Sequence, residues 1–154
     1  DALCLDISFF TGQKDNFYEP ESYPAGTESM IPVVGAVRAG WNALAESDYE
    51  GSLAAYDVKN PERFVWLRVK GDSMEPRMFD GDHVLVRLQN TAENGDYVVA
   101  ILDGEEGTIK KFQRKKDGIF LIPLNEKYTC QFIPKEQQGR LYIYGVAVEV
   151  KGIL

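Results

Sequence analysis

From residue 63 onward, the chain alternates short runs of β-branched and aromatic residues with turns made of Gly, Asp and Asn. The runs lie at 64–69, 83–88, 97–102, 107–112, 119–122, 131–133 and 141–150. Turn residues that recur at intervals of about 8–14 residues are typical of antiparallel β domains. No long amphipathic helical pattern and no internal repeat accompany them. The sequence therefore predicts a mainly β fold, as a compact, coiled and mostly antiparallel domain.

Residues 1–30 differ from this pattern. A short apolar patch is followed by sequence rich in Gly, Pro, Glu and Ser, which predicts a linker arm with one short strand or helix at most. Residues 31–37 form a strand-like run interrupted by a proline and a glycine, and residues 42–60 have only weak helix or loop character. We therefore expect an N-terminal arm at 1–30 and one folded domain at 31–154.

Composition narrows the possible functions. The 154 residues carry a formal net charge of -7, a poor match to a phosphate backbone, so this segment alone is not expected to bind nucleic acid. Cys4 and Cys130 are far apart and form no metal motif or disulfide framework, which predicts reduced thiols in a cytoplasmic protein. No apolar run approaches the roughly 20 residues that span a bilayer, so no membrane partner is expected. No cofactor is expected, and His83, the single histidine, has no partner at a metal-binding spacing.

The run KGDSMEP at 70–76 places Ser73 in a sharp break after an apolar strand. Gly71 permits unusual backbone angles, and Pro76 prevents a regular strand or helix from running through. Ser73 is thus either a displayed nucleophile or a turn residue that caps a short helix. A serine nucleophile needs a group that takes its proton, and the scarcity of histidine directs attention to other residue types.

Two lysines in the run TIKKF at 108–112 are candidates for that base. A lysine can accept a proton if burial lowers its pKa, because a low-dielectric site disfavours the ammonium form. Strand alternation puts Lys110 on the face of Phe112 and Lys111 on the face of Ile109. Because each face carries one large apolar residue, the pattern does not choose between the lysines, and both could instead extend into solvent.

Together these motifs resemble a known family. The segments KGDSMEP, DGDHVLV, NGDYVVAILDGEEGTIKKF, IPLN and YGVAVEV are similar to the self-cleaving domain of the SOS repressor LexA, of λ-type phage repressors and of the polymerase accessory protein UmuD. The resemblance covers about residues 31–152. It implies a fold of the LexA C-terminal and signal-peptidase-like type, with Ser73 as nucleophile and Lys110 as general base. It also implies cleavage of the chain's own small-residue bond upstream, a role that Ala39-Gly40 fits.

The resemblance leads to a mechanistic hypothesis. The cleavage-site segment 35–45 folds back over a cleft, and Lys110 removes the Ser73 hydroxyl proton. Ser73 then attacks the Ala39 carbonyl, while the backbone N–H groups of Asp72 and Ser73 stabilise the oxyanion. Because the substrate is part of the same chain, much of the entropy cost of bringing the scissile bond to the serine is avoided.

The resemblance also implies partners. These are a second copy of the chain in a homodimer, an activated RecA filament that favours cleavage, and DNA bound only through a domain that would precede residue 1. The chain would then be the C-terminal domain of a LexA-like or phage-like transcriptional repressor that inactivates itself in the DNA-damage (SOS) response. The alternatives are an UmuD-like self-cleaving accessory factor of a translesion polymerase and a dimerisation module that does not cleave. Membrane signal peptidases share the serine and lysine pattern, but they carry transmembrane anchors that this sequence does not provide.

Overall fold

A computed structural model describes residues 26–37 and 49–152 of the chain. The strands are β1 (Glu28–Val34), β2 (Tyr49–Tyr56), β3 (Phe64–Arg68), β4 (His83–Leu88), β5 (Tyr97–Leu102), β6 (Thr108–Lys115), β7 (Gly118–Ile122), β8 (Gln131–Pro134) and β9 (Leu141–Lys151). Short 3-10 helices occupy Pro61–Arg63 and Lys135–Arg140. No helix in this part of the chain is long and apolar enough to cross a membrane.

The described residues fall into two compact units. The smaller unit includes residues 26–29 and 54–59, and within it the Asp57 N–H donates a hydrogen bond to the Thr27 carbonyl (2.8 Å). The larger unit carries all the residues that line the candidate site. It includes residues 30–37, 49–53 and 60–152.

The strands form one sheet with the order β2-β1-β3-β4-β9-β5-β6-β7-β8. From β3 to β8 in this order all neighbours are antiparallel, whereas β1 and β3 run parallel. The register of β9 shifts against both neighbours, between Leu85 and Val86 of β4 and between Val99 and Ala100 of β5. Such irregularities bend a sheet and increase its twist. The mainly β fold is thus confirmed, in the form of a mixed sheet whose pairs are mostly antiparallel.

Two clusters of buried apolar side chains pack on the sheet. Residues 84–86 of β4 are all buried, which is the pattern of a strand covered on both faces. Met74 and Met78, from the turn after β3, are 2% and 1% exposed and belong to the first cluster. These methionines anchor the turn that carries Ser73 to the core.

The predicted strands are present with ends that differ by no more than three residues, but one prediction is wrong. Residues 42–60 are predicted as weak helix or loop, whereas residues 49–56 form β2. The β2 sequence YEGSLAAY is rich in small residues and shows no apolar alternation, so no local preference marks it as a strand. Its position depends on distant contacts, such as the hydrogen bond from Trp66 Nε1 to the Leu53 carbonyl (3.2 Å). In addition, β1 begins at Glu28, so the last residues of the predicted arm belong to a strand.

Candidate active site

The turn between β3 and β4 displays Ser73 at the edge of a cleft. Gly71 has a φ of 81°, a left-handed conformation that favours glycine, and its N–H donates to the Asp80 carboxylate (2.6 Å). Residues 71–82 form turns and bends rather than a regular helix, so the alternative in which Ser73 caps a short helix is wrong. Ser73 is half-buried, and Met74, which follows it, is buried.

Lys110 lies on β6 with its amine beside Ser73. The Nζ atom is 3.1 Å from Ser73 Oγ and 3.1 Å from the Ile109 carbonyl oxygen. Alternation along β6 puts Lys111 on the opposite face of the strand. The structure thus brings the predicted nucleophile and the predicted base together, and it distinguishes two lysines that the sequence pattern leaves equivalent.

Burial lowers the pKa of the Lys110 amine below its ordinary value of 10.5, because desolvation disfavours the ammonium form. Within the described residues, no carboxylate forms an ion pair with Lys110 that would oppose this effect. The amine therefore has a larger neutral fraction near neutral pH than an exposed lysine has. Only the neutral amine can accept a proton.

A cavity of about 310 Å³ opens next to Ser73 and Lys110. Residues 35–36 line it, and the Val37 carbonyl accepts a hydrogen bond from the Gly107 N–H (2.8 Å). A Cβ atom on Gly107 would lie 2.6 Å from Val37 Cγ2, so glycine allows the two backbones to approach closely. The chain therefore lies along the cleft as far as Val37, which is 1% exposed and is the last residue of the first described segment.

A second cavity of about 430 Å³ is also lined by Ser73 and Lys110. Its other walls include Asp72, Tyr128 and Gln131, none of which borders the first cavity. The cleft thus has two parts that meet at the serine and the lysine. A polypeptide that crosses the cleft can contact protein on both sides of a bond placed at Ser73.

Two ion pairs lie at the rim of the first cavity. Lys70 Nζ is 2.8 Å from the Glu106 carboxylate, and Arg68 Nη2 is 2.7 Å from the Glu50 carboxylate. The hydrogen bond from Arg68 lowers the pKa of Glu50. Exposed pairs of this kind contribute about 1 kcal/mol or less. The Glu50 carboxylate also lies over Gly35: a Cβ atom on that residue would lie 2.2 Å from Glu50 Oε2, so a larger residue there would require the Glu50 side chain to move.

The loop between β7 and β8, residues 123–130, contacts the serine turn. The Tyr128 hydroxyl and Lys127 Nζ (2.9 Å) donate to the Asp72 carboxylate, and these bonds lower the pKa of Asp72. Asn125 Nδ2 donates to the Asp72 carbonyl (2.9 Å). No role for these three loop residues follows from the sequence. Of the three, only Asn125 lies in a segment that the sequence singles out, as the last residue of IPLN.

The other residues singled out in the sequence either lie outside the described residues or have no contact with Ser73 or Lys110 there. The predicted scissile bond Ala39-Gly40 lies outside the described residues, as does Cys4. Cys130 is a free, exposed thiol, and His83 is a half-buried residue of β4. No cluster of His, Cys, Asp or Glu able to hold a metal ion occurs in residues 26–37 or 49–152. The location of the scissile bond thus stays a prediction.

Comparison with known proteins adds independent information. A family model described as Peptidase S24-like matches residues 32–148. The chain is 46% identical over 134 residues to a LexA repressor of a Nocardioides species, covering 83% of this chain and 53% of that protein. It is 43% identical over 122 residues to the LexA repressor of Corynebacterium jeikeium (77% and 43% covered). For the LexA repressor of Geobacter metallireducens the identity is 42% over 123 residues (79% and 60% covered). The chain spans about half the length of the curated relatives it matches.

Proposed function

Since the chain belongs to the Peptidase S24-like family, we propose that it is a serine peptidase that cleaves its own Ala39-Gly40 bond. Ser73 is the nucleophile and Lys110 is the general base in this proposal. The observation that carries it is the 3.1 Å distance between Lys110 Nζ and Ser73 Oγ. Desolvation of the lysine supports the same assignment, because it favours the neutral amine that a base requires.

The proposed reaction has two stages. Neutral Lys110 takes the hydroxyl proton as Ser73 Oγ attacks the Ala39 carbonyl carbon, and backbone N–H groups of Asp72 and Ser73 stabilise the oxyanion. The bond to Gly40 breaks, the protonated lysine gives its proton to the leaving amine, and an ester of Ser73 remains. Lys110 then removes a proton from water, which hydrolyses the ester, and the proton returns to Ser73 Oγ.

The placement of residues 35–37 supports cleavage within the same molecule. Val37 is two residues before Ala39, and its carbonyl is bonded to the Gly107 N–H in the cleft that Ser73 borders. An approach fixed in this way supplies the orientation that a separate peptide would have to find by diffusion. The reaction is therefore a tethered one in which the chain is both enzyme and substrate.

We assign the chain to the C-terminal part of a LexA-like transcriptional repressor that is inactivated by this cleavage in the DNA-damage response. The names of its relatives and the half-length match support the assignment. In this proposal the chain forms a homodimer, binds DNA only through a preceding domain, and responds to an activated RecA filament. Two linked DNA-binding heads gain avidity from dimerisation, and cutting the connection removes it.

Alkaline incubation of the purified chain tests the proposal. We expect two fragments whose masses, measured by mass spectrometry, place the cut between Ala39 and Gly40. Ser73→Ala should leave the chain whole, and Gly40→Glu should block the cut without unfolding the domain. A different scissile bond would refute the site, and an intact wild-type chain would favour the dimerisation module that does not cleave.

Gly107→Ala should slow self-cleavage by about tenfold. The added methyl group would meet Val37 Cγ2 at 2.6 Å, closer than Val99 Cγ1 (3.2 Å) and Ile101 Cγ1 (3.3 Å). Overpacking of this kind costs about 1–3 kcal/mol, and we expect the nearest contact, Val37, to be displaced first. The first-order rate constant at one alkaline pH is the measurement. Gly139→Ala is the matched control, because a Cβ atom there meets nothing within 4 Å. Equal rates for the two variants would mean that the contact between Gly107 and Val37 does not position the substrate.

A further inference from the structure

Asn125 uses its side chain and its backbone to connect two parts of the protein. Toward the serine turn, Nδ2 donates to the Asp72 carbonyl (2.9 Å) and the backbone N–H donates to the Ser73 carbonyl (3.0 Å). Within its own loop, Oδ1 accepts from the Lys127 N–H (3.0 Å) and the carbonyl accepts from the Tyr128 N–H (3.0 Å). The residue therefore holds both peptide groups that flank Ser73, and its loop holds it in turn.

We propose that Asn125 is a positioning residue of the peptidase, which aims the Ser73 N–H at the oxyanion that forms on the scissile carbonyl. This inference rests on the proposed function. It adds to the proposed active site a residue that is neither the nucleophile nor the base. Asn125 contacts the chain on both sides of Ser73 without being expected to touch the substrate.

The geometry of a peptide group explains how a bond to one atom directs another. The peptide between Asp72 and Ser73 is trans, so its C=O and N–H point in opposite directions within one plane. When Asn125 Nδ2 holds the Asp72 carbonyl, the Ser73 N–H points away from Asn125. Among the described residues, this N–H has no protein acceptor, so it is available to a ligand in the cleft. Ser73 borders both cavities of that cleft.

The same bond also strengthens the donor. A peptide carbonyl that accepts a hydrogen bond is polarised, and the N–H of that peptide becomes a better donor. Oxyanion stabilisation depends on donors that are oriented before the reaction begins, since reorganisation during the reaction would raise the barrier. Asn125 contributes to both requirements through its bond to the Asp72 carbonyl.

The chemistry of the amide side chain suits this position. Its NH₂ group can donate to the Asp72 carbonyl while its oxygen accepts from the Lys127 N–H, which a carboxylate of the same shape cannot reproduce. By contrast, the bonds from Lys127 and Tyr128 end on the half-buried Asp72 carboxylate. Those bonds orient a side chain and do not fix the peptide plane that carries the Ser73 N–H.

The test is the pH dependence of self-cleavage in the Asn125→Ala chain. The midpoint of the rate profile reports the protonation of Lys110, and the plateau reports stabilisation of the transition state. Loss of an oriented oxyanion donor lowers rates by about 10²–10³-fold in a serine peptidase, and a donor that is only misaligned should lose less. We expect a plateau lowered by about 10–100-fold with an unchanged midpoint.

Asn94→Ala is the matched control. Asn94 also uses both amide atoms to hold backbone groups, from Nδ2 to the Arg114 carbonyl (3.3 Å) and from the Arg114 N–H to Oδ1 (2.6 Å), and neither residue lines the two cavities at Ser73. Its plateau should stay within about twofold of the wild type, which is the range expected of a surface change. If Asn125→Ala does not fold, Asn125→Asp replaces it as the test variant. An aspartate keeps the bond from the Lys127 N–H, but its second carboxylate oxygen cannot donate to the Asp72 carbonyl.

The outcomes separate this inference from the proposed function. If the wild-type chain cleaves and the Asn125 variants match it, the inference is overturned and the proposed function stands. An upward shift of the midpoint that accounts for the whole loss would also overturn it, since the loop would then act by burying Lys110. A wild-type chain that does not cleave overturns the proposed function, and the inference with it.

Discussion

Replacing Lys110 with methionine is expected to stop self-cleavage, whereas the same change at Lys111 should leave the rate within about twofold of the wild type. General-base catalysis contributes about 10²–10⁴-fold, so the loss at Lys110 should fall in that range or beyond detection. The measurement is the first-order rate constant of fragment formation at several alkaline pH values. The two variants make the same substitution at adjacent positions of one strand.

The difference between the lysines comes from their surroundings rather than from their residue type. Both are half-buried on β6, but only the Lys110 amine lies 3.1 Å from Ser73 Oγ. Its second contact, to the Ile109 carbonyl (3.1 Å), holds it in that place without adding a negative charge. A carbonyl partner allows the amine to become neutral, whereas a carboxylate partner would favour the charged form.

Loss of activity in Lys110→Met is not expected to come from unfolding. Methionine retains the apolar stem and removes an amine whose charged form is disfavoured by burial, so the variant should be at least as stable as the wild type near neutral pH. Thermal unfolding of both methionine variants checks this. If Lys110→Met still cleaves while Lys111→Met does not, the assignment of the base is wrong.

Whether a strand can be predicted from the sequence depends on whether local residues or residues distant along the chain determine it. Strands such as 83–88 and 97–102 are predictable because their apolar runs and flanking turns are local signals. β2 is not, because its small residues form a strand only through distant partners such as Trp66. Tertiary contacts of this kind override weak local preferences.

The residues of the site also divide into those that local sequence patterns mark and those that only distant contacts place. Ser73 and the lysine pair stand out in the sequence, yet alternation along β6 cannot decide which lysine faces the serine. That choice depends on how β6 packs beside the turn after β3, which no local pattern encodes. Asn125 is still harder to predict, because its contacts with Asp72 and Ser73 join segments more than fifty residues apart along the chain.

The rate of self-cleavage should rise about tenfold per pH unit while Lys110 is mostly protonated, and then reach a plateau below pH 10.5. The slope follows from the neutral fraction of a single base, which increases tenfold per unit well below its pKa. The position of the plateau follows from burial, which lowers the pKa of Lys110 from its ordinary value of 10.5. Rate constants measured from neutral pH to pH 11 give the profile.

The free energy of unfolding also depends on the protonation of Lys110. Its pH dependence therefore distinguishes deprotonation of this residue from a general effect of alkali on the rate. Because the folded state lowers the pKa of Lys110, the unfolded chain binds more protons between that pKa and 10.5. The free energy of unfolding that is due to this residue therefore rises with pH through that window and is constant below it. It can be measured as the difference between Ser73→Ala and the double variant Ser73→Ala with Lys110→Met, neither of which should cleave.

The kinetic midpoint and the start of the stability window should coincide, because both report one amine. Added salt should move neither by much, since desolvation, rather than an ion pair, is the cause of the lowered pKa. A midpoint at or above 10.5 would mean that Lys110 is not desolvated in the reacting molecule. A flat profile from neutral to alkaline pH would contradict a lysine base, and the role of Lys110 would then have to be that of a hydrogen-bond donor to Ser73.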